Sequence, residues 1–229
     1  MATLTLIRHG QASFGKSDYD QLSETGYAQA HRLGEALKER DEQIDAVYIG
    51  GMLRHRQTAE RCLAALGLDL PLHVLPEFNE FDHVQILERY EPRYRDRAWI
   101  VGEMAKHASP EAALVHHFKA ATQRWVSGDH SDDYDESWPQ FQQRVQTGLD
   151  TAMAALGPKQ HALVFTSGGC ISVIAQALLE LSDHSTFRTN WILANCGLTR
   201  IVQGSQRNLT SLNEYGHFSG RHQPLLTYR

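Results

Sequence analysis

Basic charge is scarce in this chain: 22 Lys and Arg residues stand against 27 Asp and Glu, a net charge of −5. The continuous basic stripe that a nucleic-acid backbone requires is therefore missing, and nucleic acid is not expected as a partner, although the balance leaves room for a local positive pocket that takes a small anion. Cysteine is equally sparse. Cys62, Cys170 and Cys196 form no CxxC pair, so neither a disulfide framework nor a thiolate zinc cage has support, and all three read as small buried hydrophobes. No apolar run approaches the roughly 18 residues of a membrane span. Arg8 and His9 also arrive before a signal-like hydrophobic segment could develop. A cytoplasmic protein with no membrane partner is the expectation. Neither GxGxxG nor GxxxxGK(S/T) occurs, and Ser167-Gly168-Gly169 is not a GxSxG elbow. His116 and His117 cannot both face one ion from a helix, and Glu111 lies five residues before His116 rather than in an HExxH arrangement. No catalytic metal and no cofactor are expected.

What is present suffices for a core. With 229 residues, 41% of them hydrophobic and 21% charged, the composition is that of an ordinary globular protein, and no repeat, low-complexity tract or linker interrupts it. Residues 2–7, 44–49 and 161–166 are short apolar runs that read as strands. Ser23 is placed to cap a helix whose apolar face carries Tyr27, Ala30, Leu33, Gly34 and Leu37. After the second strand, Ala59, Cys62, Leu63 and Leu66 recur at helical spacing. The alternation stops from about Asp82 to Asp135, where Leu114, Phe118, Ala121 and Trp125 mark a mostly helical insertion. It resumes with a helix bearing Trp138, Phe141, Val145, Leu149, Ala152 and Leu156, stopped by Gly157-Pro158. A further helix follows Gly169 with Ile171, Ile174, Leu178 and Leu181 inward, and the runs 197–203 and 208–213 suit a terminal strand pair. The expectation is one α/β domain over residues 1–229, helices on both faces of the sheet, with the insertion at about 82–135.

Ligands of α/β sheets collect at the carboxyl ends of strands. The first strand ends in Arg8-His9-Gly10. The second delivers Arg54 at the start of a helix, whose exposed N–H groups favour an anion. Phe78-Asn79-Glu80 supplies a carboxylate. Ser167-Gly168-Gly169 ends another strand, with glycines that permit close backbone approach. A histidine at one strand end is by itself as readily a structural residue; two guanidinium groups, an imidazole, a carboxylate and a hydroxyl at neighbouring strand ends point to an anion site.

These motifs, taken in order, resemble the histidine phosphatase superfamily, also called phosphoglycerate-mutase-like or histidine acid phosphatases. The residues carrying the resemblance are Leu6-Ile7-Arg8-His9-Gly10, Leu22-Ser23-Glu24-Thr25-Gly26 with Gln29-Ala30, Leu53-Arg54 with Gln57-Thr58-Ala59, Asn79-Glu80, Glu136-Ser137 with Arg144, and the strand into Gly168-Gly169. They span nearly the whole chain. The resemblance implies a three-layer α/β/α sandwich around a mostly parallel sheet, and phosphoryl transfer through a phosphohistidine on His9.

This chain departs from the family where most members carry a second catalytic histidine, just before the Gly-Gly turn: Ser167 stands there. A serine supplies a neutral hydrogen bond where an imidazole could add charge, and by comparison with the loss of one oxyanion donor roughly 10²–10³ in rate is at stake. His83, His217 and His222 are candidates to fill that corner, surface positions being the bland alternative for each. Ala12 and Gly15 fall where mutases usually carry a phosphate-contacting Ser or Thr and an Asn, and Phe81 and His83 replace residues that hold phosphoglycerate. A glycolytic mutase is therefore not expected. Gln11 and Ser13 are either phosphate contacts or ordinary loop polars. Phe14 and Trp125 either line the mouth of the site or belong to the core, and the helical spacing of Trp125 favours the core.

The chemistry is consistent with the resemblance. Phosphoryl transfer needs positioning and charge stabilisation more than difficult bond chemistry. Arg8 and Arg54 suit planar, bidentate contacts to phosphate. Two guanidinium groups nearby would keep His9 neutral and nucleophilic. Glu80 would protonate the leaving alcohol and then activate water, a role that wants a raised carboxyl pKa; its bland alternative is a surface carboxylate. Ser167 and Gly168 would line the substrate. The function expected is metal-independent hydrolysis of a small phosphomonoester, the partners being that substrate or inorganic phosphate. The alternative, motivated by Ser167, is a degenerate phosphatase-fold protein that binds phosphate or a phosphorylated partner with little turnover. A mutase or a protein-directed phosphatase on the same centre is a third possibility. Neither the natural substrate nor the oligomeric state is legible in the sequence.

Overall fold

The computed structural model describes residues 1–13 and 20–228, and every side chain among them except those of Pro110 and Glu111. Phe14 and Gly15, two positions raised from the sequence, lie outside the described residues. In chain order the elements are β1 (Ala2–Arg8), α1 (Glu24–Glu39), β2 (Ala46–Ile49), α2 (Leu53–Leu66), β3 (Leu72–Val74), α3 (His83–Tyr90), α4 (Arg97–Met104), α5 (Pro110–Val126), α6 (Trp138–Ala154), β4 (His161–Thr166), α7 (Gly168–Leu179), α8 (Asp183–Ile192), β5 (Leu198–Gln203) and β6 (Arg207–Glu214). They divide into two compact units, Met1–Glu80 with Arg144–Arg229, and Phe81–Gln143.

The first unit is built on a six-stranded sheet in the order β3-β2-β4-β1-β5-β6. β1, β2, β3 and β4 pair in parallel, while β5 runs antiparallel to β1 and β6 antiparallel to β5. Parallel strands are covered on both faces, which is why Thr5 and Ile7 of β1 are as fully buried as Leu4 and Leu6. On one face Ile7, Val47, Ile49, Leu163, Phe165 and Leu198 pack with Ala30, Leu33 and Leu37 of α1 and with Ala59, Cys62, Leu63 and Leu66 of α2. Residues of opposite parity, Leu4, Leu6, Ala162 and Val164, are just as buried, and α7 packs on β1 and β6. The result is a three-layer α/β/α sandwich with a mostly parallel sheet.

Local sequence explains most elements. Ser23 caps α1, its hydroxyl accepting the Gly26 N–H at 3.1 Å. Tyr27, expected on the buried stripe, is exposed instead. Gln29 takes an inner position because its amide is fully used: Oε1 accepts from the Gln11 N–H, and Nε2 donates to the Leu225 carbonyl and the Thr227 hydroxyl. That rotates the buried face away from Tyr27. α1 and α2 approach closely at Gly34, where a Cβ would collide with the Cys62 carbonyl. The helix expected to run to Leu156 ends at Ala154. β3 and α8 were not legible: β3 is three residues long and partly exposed, and α8 buries Thr186 with no apolar period behind it.

The second unit contains the segment expected to be a helical insertion. Asp82, Asp96 and Ser109 cap α3, α4 and α5 with side-chain oxygens. Its core is aromatic: Phe81, Trp125, Trp138 and Phe141 meet with ring centroids 5.1–5.9 Å apart. Trp125 is buried there, as its spacing indicated. Among the described residues, no helix is long and apolar enough to cross a membrane.

Candidate active site

His9 follows β1 directly. Its N–H donates to the Thr166 carbonyl at 2.9 Å, and its own carbonyl accepts from Asn195 Nδ2 at 3.0 Å. The ring nitrogen Nδ1 lies 2.7 Å from the Gly10 carbonyl. A carbonyl can only accept, so Nδ1 carries the proton and Nε2 keeps its lone pair. The ring is buried. That burial, followed by the charges of Arg54 and Arg8, holds its pKa well below the ordinary histidine range. His9 is thus a neutral imidazole with a defined nucleophilic nitrogen. The next residue ties β1 to α2: the Gly10 N–H donates to Thr58 Oγ1 at 3.0 Å, and that hydroxyl donates to the Arg54 carbonyl at 2.6 Å.

Arg54 is buried in the first turn of α2. Its Nη1 lies 2.7 Å from Asp20 Oδ1, and Asp20 Oδ2 accepts the Leu53 N–H at 2.8 Å. A carboxylate therefore engages the guanidinium and helix-terminal N–H together, a donor set equally suited to phosphate oxygens. Arg8 donates from Nη1 to the carbonyls of Leu193 and Tyr228. Its Nε lies 3.6 Å from where a side chain at Gly168 would begin.

Glu80 Oε2 accepts the Gly169 N–H at 2.9 Å, in the first turn of α7. The loop before it is pinned from several sides. Arg144 Nη1 donates to the carbonyls of Pro76, Glu77 and Asn79 at 2.8–3.2 Å. Asn79 Oδ1 accepts from the Gly51 N–H, and Thr166 Oγ1 donates to the Phe78 carbonyl at 2.8 Å. Cys170, beside Glu80, is fully buried; burial and the Glu80 charge push its thiol up to about 12. It is a packed thiol that donates to the Asn79 carbonyl and not a thiolate.

Ser167 occupies the N-cap position of α7, yet its hydroxyl caps nothing. Oγ lies 2.7 Å from Nε2 of His55, a histidine of α2 that is fully buried. The His55 and His9 ring centroids are 5.8 Å apart, tilted by 37°. Burial and the Arg54 charge hold His55 well below the usual histidine range as well, against a hydrogen bond with the Gly50 backbone that raises it. Gly50 makes room for that ring, since a Cβ there would strike His55 Nδ1 and lie 2.7 Å from the Phe78 carbonyl.

Arg8, His9, Arg54, Glu80, Ser167 and Gly168 all sit in the first unit, at the ends of strands or in the turns that follow them. The histidine beside Ser167 is none of those proposed from the sequence. His217 is buried against Phe218 and gives its carbonyl to Arg32. His222 contacts Arg221, and His83 belongs to the second unit. His55 had a signal: it precedes Ala59, Cys62 and Leu66 by four, seven and eleven residues, on the apolar stripe of α2. Among the described residues, no three His, Cys, Asp or Glu side chains are grouped to hold a metal.

Residues 4–101 and 88–214 match the model of the histidine phosphatase superfamily (branch 1). The chain belongs to this superfamily. This superfamily member is similar to both mutases and phosphatases. The phosphoglycerate mutase of Bacillus anthracis superposes with a TM-score of 0.64 at 21% identity, covering 94% of each chain. A phosphoserine phosphatase of Entamoeba histolytica, solved with 3-phosphoglyceric acid, gives 0.64 at 19% identity over 95% of this chain and 99% of that one. In sequence, a 2,3-bisphosphoglycerate-dependent phosphoglycerate mutase of Bartonella tribocorum is 38% identical over 72 residues, 28% of this chain and 34% of that protein. The matches with curated mutases span 34–43% of those proteins' length. At these identities the solved structures establish the fold alone.

Proposed function

We propose that this chain hydrolyses a small phosphomonoester through a phosphohistidine on His9. The observation that carries the proposal is the state of the His9 ring: Nδ1–H is spent on the Gly10 carbonyl, and Nε2 is an uncharged nucleophile beside two guanidinium groups. In the first step Nε2 bonds phosphorus as the ester P–O bond breaks, and the Glu80 carboxyl gives its proton to the departing oxygen. In the second, water gives a proton to the Glu80 carboxylate while its oxygen bonds phosphorus. The N–P bond breaks, inorganic phosphate leaves, and Nε2 regains its lone pair. Arg8 and Arg54 hold the phosphoryl oxygens throughout, Arg54 exchanging the Asp20 carboxylate for substrate. Gly168 lets the backbone approach.

The binding-only alternative draws on the hold of Asp20 on Arg54. Release of nitrophenol from para-nitrophenyl phosphate by the native chain and by His9→Ala separates the two. Hydrolysis that falls to the uncatalysed background in His9→Ala supports the enzyme, as does label on the native chain that survives a quench at high pH and is lost in acid. Equal rates in both proteins overturn it.

A further inference from the structure

We propose that His55 acts through Ser167 as a second arm of the phosphoryl site, its Nε2–H donating to Ser167 Oγ so that the Ser167 hydroxyl hydrogen is aimed at an oxygen on phosphorus. This rests on the phosphatase reading of His9 and assigns a role to a histidine outside the expected catalytic set.

Three observations converge on it. A serine at an N-cap ordinarily accepts an N–H of the first helical turn. Ser167 forgoes this, and the Gly169 N–H goes to Glu80 instead. The hydroxyl has been turned to His55 Nε2 at 2.7 Å, in a fully buried contact. Next, the position is right. β1 and β4 run parallel with Arg8 opposite Thr166, so His9 and Ser167 leave adjacent strands side by side. The Thr166 carbonyl also takes the His9 N–H. Finally, the His55 ring is immobilised, wedged against Gly50 where no side chain fits.

A hydroxyl has one hydrogen and two lone pairs. If it accepts from His55 Nε2–H, its own hydrogen is left for another acceptor, and each bond of the chain polarises the next. Every proton stays on its atom; the pair supplies a preorganised donor as charge builds on the phosphoryl oxygens. His55 is therefore a positioning residue and Ser167 the group that touches substrate. The competing tautomer, its Nδ1–H turned to the Gly50 backbone, would have the Ser167 hydroxyl donate to Nε2, leaving it nothing to offer phosphorus.

Kinetics of the full chain on para-nitrophenyl phosphate provide the first test. Ser167→Ala and His55→Phe should each lower kcat, by about 10²-fold as for one lost donor, with KM little changed. The double variant should be no worse than Ser167→Ala alone. His55→Gln, which retains an N–H donor, should recover most of the loss. Losses that multiply in the double variant, or no rescue by glutamine, overturn the proposal. A second measurement needs neither variant folding nor turnover. In protein labelled with ¹⁵N-histidine, His55 should be the Nε2–H tautomer, and its Nε2 resonance should move when inorganic phosphate is added. The Nδ1–H tautomer, or no response to bound phosphate, overturns the pair. If the native chain releases no more nitrophenol than His9→Ala, hydrolysis itself has failed, and the resonance measurement still decides on His55 and Ser167.

Discussion

Asn195 gives a side-chain N–H to the carbonyl oxygen of His9 across 3.0 Å, and both residues are buried. Asn195 is in turn held by the last described residues of the chain: its N–H donates to the Thr227 carbonyl, and its Oδ1 accepts from the Thr227 hydroxyl at 2.8 Å. The backbone of His9 is thereby fastened to residues near the end of the described chain. Asn195→Ala removes a buried donor and should cost about 1–3 kcal/mol, read as a lower urea midpoint. kcat should fall with it, because His9 loses a constraint. An unchanged midpoint would mean that water or a neighbour replaces the amide.

Gly50→Ala places a methyl group against the His55 ring and the Phe78 carbonyl. Relieving that overlap should cost about 1–3 kcal/mol of stability and move His55 off Ser167. Both Tm and kcat should drop. Gly51→Ala is the milder comparison, since its nearest neighbour is an Asn79 side-chain atom at 3.3 Å.

Asp20 places negative charge against the guanidinium that is assigned to substrate. Asp20→Ala should tighten inhibition by inorganic phosphate, by about threefold or more at low ionic strength, and salt should erode the difference. Weaker inhibition in the variant would show that orienting Arg54 matters more than freeing it.

Acid should unfold this protein through its histidines. His9, His55, His161 and His217 all have pKa values lowered chiefly by burial, that of His217 to about 4 with Arg40 and Arg32 contributing. Unfolded histidines titrate near ~6.5, so below that pH the unfolded chain takes protons that the native chain refuses. Stability is fully present above about 6.5 and declines as the pH falls toward each folded value. For His217 alone the window is worth about 3 kcal/mol. Urea midpoints from pH 8 to pH 5 should fall below ~6.5, and less steeply in His217→Leu. A flat profile would contradict these assignments.

Much of the fold was legible because it is governed over a few residues. Buried strands such as β1 and β4 show as short apolar runs, Ser23 marks the start of α1, and the stripe through Ala59, Cys62 and Leu66 marks α2. Strand ends also showed where the polar groups would gather. β3 and α8 left no such trace, one being too short for an alternation and the other lacking an apolar face.

Residue types and local periods, set by backbone geometry and solvent, determined the α/β layering and the inventory at the strand ends. Tertiary structure alone decided which groups meet: His55 and Ser167 are 112 residues apart, Arg54 and Asp20 34, and Asn195 and His9 186. Such contacts depend on strand register and on how helices seat over the sheet, each the sum of many weak interactions along the whole chain. The tautomer of His9 belongs with them, because a ring's proton goes where burial and a fixed carbonyl send it.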